Sequence, residues 1–200
     1  MNNREIIDEA VKVLREGGVI LYPTDTVWGI GCDATNQEAV AKVFEIKRRS
    51  EAKSLVLLAC DLDMVAKYIR EIPSIAIDLV EVNDAPMTII YPGAQYLAPN
   101  AVAEDGSVGI RIPYVDEESA GSLKGADFCR ELVRRLRKPL VSTSANISGE
   151  PTPERFSEIS EEIVKAMDYV VPKSVDAGST GRPSQIIKLG LGGEVKIIRG

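Results

Sequence analysis

Two short segments of this chain collect side chains that bind anions, and each lies beside apolar residues typical of a strand. The first, residues 47–53 (KRRSEAK), leads into residues 54–58 (SLVLL). The second, residues 142–149 (STSANISG), directly follows residues 139–141 (PLV). Lysine and arginine neutralise phosphate or carboxylate groups, and hydroxyl and amide side chains supply oriented donors. The two segments together predict a site for a small molecule with several negative charges.

The charge balance makes the first segment stand out. Four cations within seven residues interrupt a chain whose net charge is −6 and whose isoelectric point is about 4.9. This acidity argues against a protein that coats nucleic acid, although it leaves room for a local basic groove. The chain contains no histidine, which excludes Ser-His-Asp and Cys-His catalysis within it. Cys32, Cys60 and Cys129 are too widely spaced to indicate a disulfide framework or a C-x-x-C motif.

Length and hydrophobicity predict one α/β domain over residues 1–200. A hydrophobic content of 44% is enough for a substantial core, and no low-complexity tract marks a linker. The first residues lack the apolar centre of a signal peptide, and no apolar run approaches the length that spans a membrane. We therefore expect a soluble, cytoplasmic protein without a membrane partner.

Apolar periodicity gives the elements that must position these segments. It predicts helices at residues 4–16, 36–47, 61–69, 73–82, 126–137 and, in one or two pieces, 154–167. It predicts strands at residues 19–22, 27–31, 54–59, 86–91, 107–112, 139–142, 169–171, 184–189 and 194–198. Helices interleaved with strands indicate a twisted mixed sheet flanked by helices. In this arrangement the hydroxyl-rich residues after 142 form a turn at a strand end.

Each candidate also has a purely structural interpretation. Lys47 and Arg48 can offset the dipole of the helix that they end. Lys53 fits that interpretation poorly, because it lies beyond the helix at the start of a buried strand, where open α/β sheets often bind ligands. Arg111 alternates with apolar residues, so it faces either solvent or a cleft in which its planar fork can hold a carboxylate. Asp25 and Asp176 are candidate acids, although isolated acids are more often helix caps or solvated side chains. No P-loop motif is present.

Five segments, in this order along the chain, resemble the threonylcarbamoyl-AMP synthase family, the YrdC-like proteins. Residues 22–31 (YPTDTVWGIG) are similar to the family's Y-P-T-(E/D)-T-x-(Y/W)-G segment, and residues 47–49 match its K-x-R. Residues 107–113 (SVGIRIP), 144–146 (SAN) and 197–200 (IIRG) complete the pattern. Ser50 departs from it, since proline often follows K-x-R in the family. The resemblance implies a single YrdC-like domain with a concave basic cleft.

The resemblance also implies an enzyme. The reaction would join L-threonine, bicarbonate or carbon dioxide, and ATP into threonylcarbamoyl-AMP and pyrophosphate, which makes the enzyme a nucleotidyltransferase. The adenylate would pass to downstream tRNA-modification proteins for the threonylcarbamoyl modification of the adenosine next to the tRNA anticodon. Mg²⁺ would accompany ATP, held mainly by its phosphates.

Site residues follow from the resemblance position by position. Lys47 and Arg49 would be the catalytic cations and, with Lys53, would contact the ATP phosphates. ATP would contact Arg49, Lys53, Ser107, Ser144, Asn146, Thr152 and Arg199. Threonine would contact Thr26, Arg111, Ser142 and Ser184, with Arg111 on its carboxylate. Ser107 is a candidate for the threonine as well.

Two other functions remain open. One is a module of the same fold that binds tRNA or double-stranded RNA without catalysis, although one Trp and three Phe limit base stacking. The other is a related carbamoyl-transfer domain with another acceptor, like those of hydrogenase maturation.

Overall fold

Short strands alternate with helices along the chain and meet in one mixed sheet. The structure is a computed structural model, and it describes residues 1–50, 54–178 and 180–200. The strands are β1 (Ile20–Tyr22), β2 (Gly29–Gly31), β3 (Val56–Leu58), β4 (Met87–Tyr91), β5 (Val108–Arg111), β6 (Leu140–Ser144), β7 (Tyr169–Val170), β8 (Gln185–Leu189) and β9 (Val195–Arg199). The helices are α1 (Asn3–Arg15), α2 (Gln37–Ile46), α3 (Leu62–Tyr68), α4 (Ser74–Val82), α5 (Gly125–Leu136) and α6 (Glu161–Lys165).

In the part of the chain that the structure describes, the sheet has nine strands in the order β7-β1-β2-β6-β3-β5-β4-β8-β9. The pairs β1–β7, β3–β5 and β4–β8 are parallel, and the other neighbours are antiparallel. This confirms the mixed sheet flanked by helices that the sequence predicts. Within the described residues, no helix combines the length and the apolar character needed to cross a membrane.

Side-chain caps fix where three of the helices begin. Asn2 forms a capping box with Glu5 at the start of α1. The Asn36 side chain accepts the Ala39 N–H at 3.1 Å, and the Asp61 side chain accepts the Met64 N–H at 2.8 Å. Such caps satisfy N–H groups that have no partner inside the helix. These starts agree closely with the sequence prediction, because a cap is a local interaction.

The two faces of the sheet differ in how they are covered. Alternate strand residues on the first face, which include Leu21, Ile30, Leu57, Ile89, Ile110 and Val141, belong to one large buried core. On the second face, α1 and α5 pack over the end of the sheet that carries Ile20, Tyr22, Leu58 and Leu140. The remaining part of the second face forms the floor of a cleft.

Two details differ from the sequence-based boundaries. Strand β6 continues through Ser144, so the hydroxyl side chains of residues 142–144 belong to a strand and not to a turn. The strand continues because Ser142 pairs with β3, and Thr143 and Ser144 pair with β2, which satisfies their backbone groups. Residues 154–167 contain two pieces, a 3-10 turn at Phe156–Glu158 and helix α6, whose N-cap is Ser160.

Strand β2 packs tightly against its neighbours at Gly31. A Cβ at Gly31 would lie 2.6 Å from the carbonyl oxygen of Val141 and 2.7 Å from the ring of Tyr22. At Gly29, in the same strand, the nearest atoms are 3.5 Å away. We expect Gly31→Ala to lower the free energy of unfolding by about 1–3 kcal/mol, as overpacked sites do. Gly29→Ala is the control and should change it little. Equal effects in urea unfolding would contradict this account of β2.

Candidate active site

The uncovered part of the second face holds a cleft of about 1050 Å³. Small or polar residues of four strands, Gly29, Thr88, Gly109 and Ser142, line it together with apolar side chains such as Val56 and Ile90. Nine of the residues predicted from the sequence line it: Thr26, Arg49, Ser107, Arg111, Ser142, Ser144, Thr152, Ser184 and Arg199. They come from segments spread over most of the chain, and the sheet brings them into one cavity.

Lys47 lies outside the cleft lining. Its side chain is buried, with 1% exposed, and Nζ donates hydrogen bonds to the backbone carbonyl oxygens of Ser144 and Asn146. Burial, followed by the charge of Arg49, lowers the pKa of Lys47 to about 8. In this geometry Lys47 supports the backbone that presents Ser144, which differs from the predicted direct contact with phosphate.

Asn146 also supports this segment instead of lining the cleft. Its Oδ1 accepts a hydrogen bond from Ser144 Oγ, and its Nδ2 donates to the carbonyl oxygen of Glu150 at 2.7 Å. The side chain therefore fixes the position of Ser144 and of the loop that follows. Lys53, the third predicted cation of this region, lies outside the described residues.

Arg49 reaches the cleft because α2 ends sharply. Arg48 adopts the left-handed conformation, with φ at 48°, which turns the chain immediately after the helix. Arg49 then donates a hydrogen bond to the carbonyl oxygen of Ser54 at 2.8 Å and lines the cleft. Burial lowers the pKa of its guanidinium group. Arg48 instead forms an exposed ion pair with Glu162.

Arg111 faces the cleft, as the alternation of β5 predicts. Val108 and Ile110 belong to the core of the first face, whereas Arg111 lines the cleft on the second. The guanidinium is only 3% exposed and forms an ion pair with Asp25, in the loop between β1 and β2. Asp25 is thus a charge partner and does not itself line the cleft.

A β-bulge directs Arg199 into the cleft. Ile187 pairs with Ile197, but Ile186 pairs with Arg199, so Ile198 is an extra residue on β9. The extra residue shifts the alternation and brings Arg199 onto the face of Ile186, which lines the cleft. Arg199 Nε donates to the carbonyl oxygen of Ser184 at 2.9 Å. A simple period of two along β9 would have placed Arg199 on the opposite face.

Several cleft residues were not assigned from the sequence. Thr88, on β4, is fully buried and shares a hydrogen bond with Ser184 through their hydroxyl oxygens at 2.8 Å. The sequence feature that could have identified Thr88 is that it is a polar residue within an otherwise apolar predicted strand. Lys188 and Lys196 pair directly across β8 and β9 and also line the cleft. Isolated lysines in predicted strands usually point to solvent, so no sequence feature selected these two.

Acidic residues near the site also have structural partners. The Asp105 carboxylate accepts hydrogen bonds from Lys188 Nζ at 2.7 Å and from the Ser107 backbone N–H at 3.0 Å. These bonds, the one from Lys188 first, hold the pKa of Asp105 well below its usual range. Asp176 accepts a hydrogen bond from Trp28 Nε1 at 2.9 Å, which makes it a structural acceptor.

The support by Lys47 can be tested separately from activity. Lys47→Met would remove the ammonium donor from the Asn146 carbonyl oxygen and one of the two donors to the Ser144 carbonyl oxygen, so we expect the free energy of unfolding to fall by about 2 kcal/mol. Lys42→Met, on the exposed side of α2, removes one long hydrogen bond to Gly17 and should cost little. Denaturant unfolding of both variants measures the difference. Equal stability would show that the buried ammonium does not hold the 144–148 segment.

Comparisons with known proteins show the family. A family model described as "Telomere recombination" (Sua5/YciO/YrdC) matches residues 12–200. The threonylcarbamoyl-AMP synthase of Stenotrophomonas maltophilia is 33% identical over 183 residues, which cover 90% of this chain and 91% of that protein.

Two solved structures share the fold. P. abyssi Sua5 complexed with L-threonine superposes with a TM-score of 0.77 at 23% identity over 94% of this chain. Full-length HypF, in a phosphate- and nucleotide-bound form, superposes with a TM-score of 0.76 at 23% identity over 96% of it. The chain spans about half of the Sua5 chain (52%) and 28% of HypF. At these identities the two structures establish the fold, and the family match over residues 12–200 shows that the chain belongs to the Sua5/YciO/YrdC family.

Proposed function

We propose that this protein is an L-threonylcarbamoyladenylate synthase, a nucleotidyltransferase. It would convert L-threonine, bicarbonate or carbon dioxide, and ATP into threonylcarbamoyl-AMP and pyrophosphate. The observation that carries this proposal is that Arg49 and Arg111, 62 residues apart in the sequence, line one hydroxyl-rich cavity. A volume of about 1050 Å³ is at the upper end for a ligand pocket, and it leaves room for a nucleotide and an amino acid together. A relative named for this activity supports it.

The chemistry needs charge neutralisation more than a protein nucleophile. The threonine amine first combines with bicarbonate, releasing water and forming a carbamate. A carbamate oxygen then attacks the α-phosphorus of ATP, and pyrophosphate leaves with the electron pair of the broken P–O bond. Negative charge is concentrated on the phosphates throughout, so fixed cations and hydroxyl donors lower the barrier by positioning and electrostatics. A site without histidine is compatible with this reaction.

The threonine subsite is proposed on the side of the cleft that holds Arg111. The Arg111 guanidinium would bind the carboxylate, since a planar fork matches two oxygens. Thr26, Ser142 and Ser184 supply hydroxyl groups for the amine and the side chain of threonine, and all three line the cleft. The Thr88–Ser184 hydrogen bond would fix the Ser184 hydroxyl in place.

The nucleotide subsite is proposed around Arg49. Arg49 would stabilise the phosphates as the catalytic cation, and Lys53 stays a predicted phosphate contact. Ser107, Ser144, Thr152 and Arg199 would contact the remainder of ATP, and each of these four lines the cleft. Lys47 and Asn146 would act through Ser144.

Magnesium would enter with the nucleotide. Among the described residues, no group of three or more carboxylate or cysteine side chains is placed to hold a metal ion. Mg²⁺ binds phosphate oxygens readily and keeps several waters. We therefore propose that, in the complex with the protein, ATP phosphates supply most of the non-water ligands of Mg²⁺.

Two alternatives make different predictions. A non-catalytic module for tRNA or double-stranded RNA would retain RNA in a salt-dependent manner and release no pyrophosphate. It is not favoured, because relatives that match over most of the chain are named threonylcarbamoyl-AMP synthase. A carbamoyl-transfer domain with another acceptor would turn over without L-threonine. We propose that the adenylate is instead passed to downstream tRNA-modification proteins.

The role of Arg49 is tested by Arg49→Ala. We expect a loss of about 100-fold or more in threonine-dependent pyrophosphate release, as when a charge-stabilising donor is removed from an active site. Arg48→Ala is the matched control, because Arg48 is the adjacent arginine and its side chain pairs with Glu162 away from the cleft. It should retain nearly full turnover. Unchanged turnover in Arg49→Ala, with the fold intact by circular dichroism, would refute the phosphate role.

A shared cavity also predicts thermodynamic coupling between the substrates. Calorimetry should show L-threonine binding several-fold more tightly when a non-hydrolysable ATP analogue is present. By linkage, the analogue should gain the same factor from L-threonine. Independent binding of the two ligands would place them in separate sites and contradict the proposal.

A further inference from the structure

The Asp25–Arg111 ion pair is buried at the edge of the cleft. The Arg111 side chain is 3% exposed and that of Asp25 is 12% exposed. Arg111 Nη1 donates to Asp25 Oδ1, while Asp25 Oδ2 is buried without a hydrogen-bond partner among the described residues. Only Arg111 of the two lines the cleft. Asp25 therefore binds the guanidinium from the side away from the cavity.

Both partners are held by rigid backbone. Thr24 Oγ1 accepts the N–H groups of Thr26 at 3.0 Å and Val27 at 3.2 Å, which fixes the turn that carries Asp25. The Asp25 carbonyl oxygen accepts the Thr180 N–H at 3.0 Å. Arg111 pairs with Leu58 of β3 on one side and Thr88 of β4 on the other. The geometry of the pair is thus set by the fold.

The pair connects parts of the sheet that are not neighbours. Asp25 lies in the loop before β2, and β6 and β3 stand between β2 and β5. The distance from β2 to β5 is three strand spacings, about 14 Å in a flat sheet. An aspartate side chain in β2 and an arginine side chain in β5 could not meet across that distance. The loop between β1 and β2 must therefore reach across the second face of the sheet, where Asp25 meets Arg111 at the edge of the cleft.

We propose that Asp25 is a positioning residue that holds the Arg111 guanidinium in the orientation that binds the substrate carboxylate. This inference rests on the proposed function and assigns a role within its threonine subsite. One carboxylate oxygen anchors Nη1, which restricts rotation of the guanidinium about its long side chain. The ligand then meets a preorganised donor and does not have to order it on binding.

The proposal is testable because charge alone and positioning predict opposite effects of removing the Asp25 carboxylate on substrate binding. The negative charge of Asp25 repels a substrate carboxylate, so neutralising it would strengthen binding if charge alone mattered. Positioning predicts weaker binding, because a freed guanidinium samples other orientations. Asp25→Asn removes the charge at nearly constant volume and therefore separates the two effects.

The experiment is calorimetry, which measures the affinity for L-threonine, for L-threoninol, which lacks the carboxylate, and for ATP. The proteins compared are wild type, Asp25→Asn, Arg111→Gln and the double variant. For Asp25→Asn we expect L-threonine affinity to fall about tenfold and L-threoninol and ATP affinity to change less than about twofold. In the double variant the loss should equal that of Arg111→Gln alone, because Asp25 acts only through Arg111. Asp25→Glu keeps the charge but moves it by one methylene, and it should lose about threefold.

Each outcome decides between the possibilities. Unchanged or tighter L-threonine binding by Asp25→Asn, or additive losses in the double variant, overturns the positioning role. Should Asp25→Asn not fold, Asp25→Glu decides: full affinity for L-threonine overturns the proposal, and a loss restricted to L-threonine supports it. A wild-type protein that binds no L-threonine overturns the proposed function and this inference with it. Binding by wild type with no effect of Asp25 substitutions overturns the inference alone.

Discussion

The structure depends on a sheet whose two faces are covered to different extents. Helices α1 and α5 pack over the end formed by β1, β3 and β6, and the apolar residues there are buried beneath them. Beyond that end the same face carries glycine, threonine, serine and arginine, which apolar helices would leave poorly satisfied. The uncovered area becomes a cleft because its side chains need polar partners.

Buried cations in and beside the cleft require compensation for the water they lose. The structure provides this compensation through two sets of partners that do not occupy the cleft. Lys47 is satisfied by carbonyl oxygens of the segment after β6, and Arg111 by the carboxylate of Asp25. A buried cation without such partners would be strongly destabilising. The buried cations are therefore part of the fold as well as of the proposed chemistry, and they stabilise the loops that carry Ser144 and Thr26.

Much of this arrangement could be predicted from local sequence. Caps such as Asn36 and Asp61 indicated where helices begin, and alternation along β5 indicated that Arg111 faces away from the core. The position of Lys47 could not be predicted in this way. At the end of a helix it resembles a solvated cation or a phosphate ligand, and only the loop after β6, about 100 residues later, determines that its ammonium is buried.

The sequence alone determined the element types, the mixed α/β class and the chemical character of the site, because caps, periodicity and composition act over a few residues. The tertiary structure decided which of these residues share a cavity. Strand β6 pairs along its whole length only because β2 and β3 lie on either side of it, which converts a predicted turn into cleft floor. The bulge at Ile198 depends on register with β8, and it brings Arg199 to the cleft. Register and sheet order arise from contacts between distant segments, and no local pattern encodes them.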